Sequence, residues 1–263
     1  MGVVRAPYPP RIVVVLIVVA AAAILFAVER LVPGRRFPLV RGWYWRVLLL
    51  NAVQVLVIYT LGAAHDRWLM QHRPWSADGL GIVGGAVVGY LAITFVYYFW
   101  HRARHESNWL WRLFHQVHHS PQRIEVLTSF YKHPLEIAAN SLLSSAILYL
   151  GVGLAPEPAA IAVMMTGLAE LFYHWNIRTP RWVGFVIQRP ESHCLHHELG
   201  VHTRNFADLP VWDMIFGTFE NPPSFEGRCG FADEREARLV EMLHFGDVHA
   251  ARVRVPERQE RTP

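Results

Sequence analysis

The feature that most constrains this chain is a set of apolar runs that water cannot accommodate. Ile12 to Val28 carries no charge over about 17 residues, enough to cross roughly 26 Å of hydrocarbon as a helix. Arg46 to Ala64 and Leu80 to Trp100 are each long enough to cross as well. Pro134 to Ala155 and Pro158 to Tyr173 are two further apolar runs, and the Gly153-Leu154-Ala155-Pro156-Glu157-Pro158 joint between them makes a helical hairpin. In lipid every backbone N–H and C=O has to be satisfied inside its own segment, so such runs become helices. Gly81, Gly84, Gly85 and Gly89 in the third run are small residues at spacings that let helix backbones approach closely.

Composition agrees, with 52% hydrophobic and only 17% charged residues. The formal charge of +4 comes from arginines scattered between apolar runs, not from a basic face, which argues against nucleic acid. Cys194 and Cys229 are the only cysteines and form no CxxC pair, so neither a thiolate zinc site nor a disulfide framework is expected. A cleaved leader is the competing reading of the first run. That run follows Pro9 and Pro10 and ends in Glu29-Arg30-Leu31-Val32-Pro33 instead of a small-residue cleavage site, so it is read as a retained span.

Basic residues orient the spans. Arg30, Arg35, Arg36, Arg41 and Arg46 lie between runs one and two, only Arg67 and Arg73 between runs two and three, and Arg102, Arg104, Arg112, Arg123 and Lys132 after run three. The expectation is an N-terminus outside and a histidine-rich part on the cytoplasmic face, to which the hairpin also returns the chain. Three regions follow: transmembrane helices in 1–100, a histidine-bearing region in 101–231 that includes the hairpin 134–173, and a charged tail in 232–263, read as a peripheral helix with a solvated end. The fold class expected is all-α, with about four to five membrane helices under a histidine-rich metal-binding cap.

Eleven of the fifteen histidines fall between His101 and His202. His101 and His105 stand at i and i+4; His115, His118 and His119 at i, i+3 and i+4; His193, His196 and His197 repeat that pattern. Helical pitch places each set on one face, and packing gives no reason to repeat HxxHH. Eight imidazoles exceed what one tetrahedral zinc takes, so a dinuclear centre is expected, although imidazole alone does not choose among iron, zinc, copper and nickel. His65, His72, His244 and His249 are read as polar anchors.

Across roughly Phe99 to Phe219 the motifs HRARH, HQVHHS, YKHPLE, FYHWN, HCLHH and NFADLPVWDMIFGTF resemble the fatty acid hydroxylase and sterol desaturase superfamily of membrane di-iron enzymes. The resemblance implies two iron ions held by the three clusters and by His174 at the cytoplasmic exit of the hairpin. It also implies an O2-dependent hydroxylase or desaturase acting on a fatty acyl chain, sterol, carotenoid or ether lipid. With no GxGxxG and no Cys-rich cluster motif in the chain, electrons are expected from an external reductase with a small cytochrome or ferredoxin. A divalent-metal transporter and a b-type cytochrome are the competing readings. Transporters place ligands near the bilayer midplane, whereas these clusters sit at helix ends, and a haem needs paired axial histidines, not HxxHH triplets.

Around the ligands, Glu106, Glu136, Glu170, Glu198 and Asp213 are candidate acceptors for the second ring N–H of a ligating imidazole. Glu170, one turn before His174 in an apolar run, is expected to orient that ring. His133, ahead of Pro134, and His202, in a HELGVH that is one residue too long for HExxH, are left without an assigned role. Tyr97, Thr94 and Tyr90 read as a stripe above His101 and a candidate substrate wall.

Overall fold

The computed structural model describes residues 11–249, so Pro9, Pro10 and the end of the predicted tail lie outside the described residues. The fold is helical, with no β-strand among those residues. Its helices are α1 (Arg11–Leu31), α2 (Trp43–Gln71), α3 (Gly81–Glu106), α4 (Asn108–Leu110), α5 (Gln116–His119), α6 (Pro134–Ser145), α7 (Pro156–Tyr173), α8 (Pro190–His196), α9 (Pro210–Phe216) and α10 (Leu239–Leu243). Two stretches widen to π geometry, Trp111–His115 before α5 and Ala146–Val152 after α6. Four segments are long and apolar enough to cross a membrane: Val13–Leu31, Trp43–Gln71, Asp78–Glu106 and Pro134–Val152. The second hairpin arm, α7, carries Glu157 and Glu170 and is not among them.

The spans are apolar outwards as well as inwards. Leu16, Ile24, Leu49, Leu56, Val83 and Leu91 are all exposed, which suits hydrocarbon as solvent and not water. Between helices, α3 packs on α7, α2 on α6 and α1 on α7. The α3–α7 contact depends on the glycines: a Cβ on Gly89 would meet Leu148 and Leu154 at 2.8 Å, and one on Gly85 would meet Pro158 at 2.9 Å. With no hydrophobic force between helices in lipid, this close approach supplies the packing. The hairpin turns at Gly153, whose φ of 77° ends the π stretch, and Pro156 then opens α7 at a position where its missing N–H costs nothing. α2 runs past the predicted Ala64, because its last polar residues face α6, with the Ser145 hydroxyl bonded to Asp66 and His65 Nε2 3.2 Å from Ser141.

Helix α1 is tied into the folded unit. Its buried Glu29 accepts the backbone N–H groups of Val126 and Asn176, each at 3.1 Å, and Trp175 donates to the Leu25 carbonyl at 2.9 Å. At the start of α2 a second core gathers Trp43, Val47, Val117, Tyr131, Phe231 and Met242. The charged segment after Ala232 shares this core: Met242 is fully buried, and buried Glu236 accepts from Arg46 and from the Gln122 N–H.

Candidate metal centre

All nine histidines singled out by spacing and resemblance come together, in two adjoining groups. His101, His105, His115, His119 and His196 form one; His118, His174, His193 and His197 form the other, and within each group the ligand atoms lie within 4.8 Å of one another. The sorting corrects the expectation that each HxxHH presents a single face. His115 and His119, at i and i+4, enter the five-histidine group while His118, at i+3, points into the four-histidine group. In the second motif the sense reverses: His193 and His197 join the four, and His196 crosses to the five. One helical step of about 100° between i+3 and i+4 separates the two directions. The groups touch where the His119 and His197 rings stack, 4.1 Å between centroids.

The supporting elements are short and locally constrained. α3 delivers His101 and His105 on its last turns. The π stretch Trp111–His115 ends on His115 and re-aims the helix that carries the next ligands, a frequent use of π geometry at functional sites. α8, opened by Pro190 at N1, carries His193 and His196, and His197 caps it.

Hydrogen bonds to the far nitrogens fix which ring nitrogen is bare. His174 Nδ1 lies 2.8 Å from the Glu170 carbonyl, His196 Nδ1 2.7 Å from the Arg204 carbonyl and His101 Nδ1 2.6 Å from the Phe206 carbonyl. A carbonyl only accepts, so each Nδ1 carries the proton and each Nε2 presents a lone pair. His193 Nδ1 is 3.0 Å from Gln188 Oε1, and that amide is oriented by its own Nε2 donating to the Asn205 carbonyl at 2.6 Å. The Nε2 atoms of His174 and His193 then face each other at 3.0 Å. Two lone pairs at that distance repel unless a cation lies between them. A shared proton is disfavoured: burial, reinforced by neighbouring imidazoles, holds His118, His119, His193 and His197 well below the ordinary imidazole range, and burial brings His174 and His196 down to about 3. His115 is lowered likewise, by burial and then by Arg104. Neutral, convergent imidazoles, four of them with the tautomer fixed by these bonds, are the donor set that divalent transition metals take. The rings pack at centroid separations such as 4.6 Å for His101 and His196.

The carboxylates divide unevenly. Glu136, fully buried, lies 3.1 Å from His115 Nδ1 and ion-pairs with Arg104, in the expected supporting place. Glu170 does not act through its side chain, which is held by Lys132; its backbone carbonyl is what receives His174. Asp213 contacts none of the nine rings and instead accepts the N–H groups of Phe206 and Ala207 at 2.8 and 2.9 Å, thereby setting the carbonyl that holds His101. Glu106 pairs with Arg102 at the surface. His133 belongs to neither group: it caps α6, accepting from the Leu135 N–H at 3.0 Å. His202 lies beside the five-histidine group, 4.9 Å from the His119 ring, without joining it. The Tyr90–Thr94–Tyr97 stripe is engaged in packing, with Tyr97 donating to the Asn140 carbonyl and Thr94 accepting from Trp212.

Sequence reasoning missed Gln188, Asn205 and the carbonyls of Arg204 and Phe206. The last three fall in or beside the NFADLP motif, so the signal was present without its meaning; Gln188 had none.

Comparison with known proteins bears on the same residues. The chain is 34% identical to ornithine lipid hydroxylase OlsE of Rhizobium tropici over 59% of its own length and 47% of that protein's. It is 30% identical to human alkylglycerol monooxygenase over 50% of its length and 29% of the relative's. Sphinganine C4-monooxygenase 1 of Arabidopsis thaliana is 26% identical over 50% of this chain and 52% of the relative. The chain thus spans about half or less of the curated relatives it matches. No solved structure matches it. The model of the family described as fatty acid hydroxylase matches residues 86–218, the stretch that carries all nine histidines of the two groups and the hairpin, and the chain belongs to that family.

Proposed function

We propose that this chain is a membrane-bound, O2-dependent di-iron oxygenase that hydroxylates a lipid-like substrate. The observation that carries the reading is the pair of adjoining histidine groups whose ring nitrogens converge on two points, while the far nitrogens of His101, His174, His193 and His196 are held by three backbone carbonyls and the Gln188 amide. His101, His105, His115, His119 and His196 would hold one ion, and His118, His174, His193 and His197 the other. Held there, two reduced irons would supply the oxygen-activating chemistry needed to oxidise an unactivated C–H bond.

The chain's own residues fix that arrangement. Gln188 and the carbonyls of Glu170, Arg204 and Phe206 keep each Nδ1 protonated, and so keep each Nε2 available. Glu136 with Arg104 gives His115 a carboxylate partner without leaving an uncompensated buried charge. Seven of the nine rings are buried, and Trp111 and Phe206 pack on the five-histidine group, which limits the access of water to it. The names of the relatives, which refer to ornithine lipid, alkylglycerol and sphinganine, support a lipid substrate. Hydroxylation is favoured over desaturation for the same reason. An external reductase with a small cytochrome or ferredoxin would supply electrons, and the arginine distribution supports a cytoplasmic histidine face.

The test is lipid extraction from membranes with and without the active chain, grown under isotopically labelled dioxygen. Label in a new lipid hydroxyl that disappears in His118→Ala is the expected result. Label arising from water, full activity in His118→Ala, or a haem absorbance in the pure protein overturns the reading.

A further inference from the structure

Outside the histidine centre, a cavity of about 730 Å³ lies between the α1–α2 loop, Arg178 and the 225–229 segment. Four arginines line it, Arg35, Arg36, Arg178 and Arg228, against one carboxylate, Glu226. None of the four has an acidic partner among the described residues. Arg35 directs its fork at sulfur, with Nη2 2.7 Å from Cys194, and Arg178 Nε reaches only the Gly34 carbonyl at 3.3 Å. Of the four, Arg36, Arg178 and Arg228 are exposed and Arg35 is half-buried; the buried guanidinium groups of Arg104 and Arg189 each have a carboxylate, Glu136 and Glu191, whereas Arg35 has none among the described residues. Four unpaired guanidinium groups around one concavity make an anion site.

The surroundings indicate where the anion comes from. The cavity starts two residues beyond the end of the α1 span, and the loop beside it exposes Leu31 at 82%, Val32 at 68% and Leu39 at 101%. On the other flank, the chain just past Arg178 exposes Trp182 and Phe185, an interfacial aromatic pair. Apolar side chains in the open next to unpaired arginines fit the boundary between hydrocarbon and headgroups, not a surface that faces bulk water.

We infer that this cavity binds the anionic headgroup of a bilayer phospholipid, with its phosphate on Arg36, Arg178 and Arg228 and its acyl chains along α1. This site is separate from the histidine centre, and its failure leaves the metal reading untouched. Its occupant would also brace that centre from behind. The loop it binds is laced to Asn176, with Gly34 N–H on the Asn176 carbonyl at 2.8 Å and Arg35 N–H on Asn176 Oδ1 at 3.0 Å, and Asn176 is two residues from His174.

The test uses full-length protein in nanodiscs of phosphatidylcholine alone or with phosphatidylglycerol, then native mass spectrometry of retained lipid, comparing wild type with the triple variant Arg36→Ala, Arg178→Ala, Arg228→Ala. All three side chains are exposed, so the fold tolerates their loss. Wild type should retain one phosphatidylglycerol in preference to phosphatidylcholine. An arginine near an anionic headgroup contributes about fivefold, so the triple variant should lose on the order of a hundredfold of that preference. The triple lysine variant should recover most of it. Equal retention of the two lipids by wild type, or unchanged preference in the alanine variant, overturns the inference. So does protection from thermal unfolding by inorganic phosphate that matches phosphatidylglycerol, since the ligand would then be the free ion.

Discussion

Replacing Gln188 with Leu should empty one metal site and spare the other. Gln188 is buried and does two things: its Oε1 accepts from His193 Nδ1 at 3.0 Å, and its Nε2 donates to the Asn205 carbonyl at 2.6 Å. Leucine fills similar volume but leaves a buried ring N–H and a buried carbonyl without partners. Loss of such a partner costs ten- to a hundredfold in metal affinity, about 1.4 to 2.7 kcal/mol. Among the nine rings Gln188 meets only His193, of the four-histidine group, so the loss falls on one ion. Purified protein titrated with a chelator and assayed for bound metal should step from two ions to one at a chelator concentration where wild type keeps both. Gln188→Glu restores an acceptor for His193 but not the donor to Asn205; it should recover the second ion while still melting at lower temperature. Two ions held by Gln188→Leu with wild-type affinity, or equal weakening of both sites, would refute the reasoning.

Other perturbations separate ligands from scaffolding. His133→Ala should cost about 1 kcal/mol of stability through loss of the α6 cap and leave metal content at two, read by thermal unfolding and metal analysis. Asp213→Asn should weaken the five-histidine site, because it frees the Phe206 segment whose carbonyl holds His101; metal content is the readout. Gly89→Leu should destabilise the fold by about 1 to 3 kcal/mol, since even a Cβ meets Leu148 and Leu154 at 2.8 Å; unfolding in detergent checks it. The buried histidines have folded pKa values below their unfolded value, so the unfolded chain binds more protons at acid pH. Metal-free protein should therefore lose stability as pH falls below about 6.5 and toward the depressed folded values, and keep it above, measured as melting temperature against pH.

The grouping of the histidines was legible because helical pitch is a local rule: His101 with His105, His115 with His119 and His193 with His197 each share a direction that spacing alone dictates. Their division between two groups is legible in the same way once i+3 is distinguished from i+4, which the reading of one common face overlooked. The groups that hold the rings were not legible, because three of them are main-chain carbonyls and every residue has one. Glu170 shows the same limit from the other side. Its carboxylate stands one turn from His174, yet Lys132, brought in from a distant part of the chain, takes it, and only its carbonyl serves the ring. The first three apolar runs fall on candidate spans but were read short, since α2 continues through His65 and Asp66, whose partners Ser141 and Ser145 belong to another helix; of the hairpin, Pro134–Val152 is a candidate span and α7 is not.

X-ray absorption at the iron edge of the purified protein, with metal quantified per chain, tests the central claim most directly. The account predicts two irons per chain, each in a shell dominated by imidazole nitrogen, each with the other iron as a neighbour, and no Soret band. A single metal, a haem spectrum, or two metals whose shells survive replacement of His118 and His196 unchanged would contradict it.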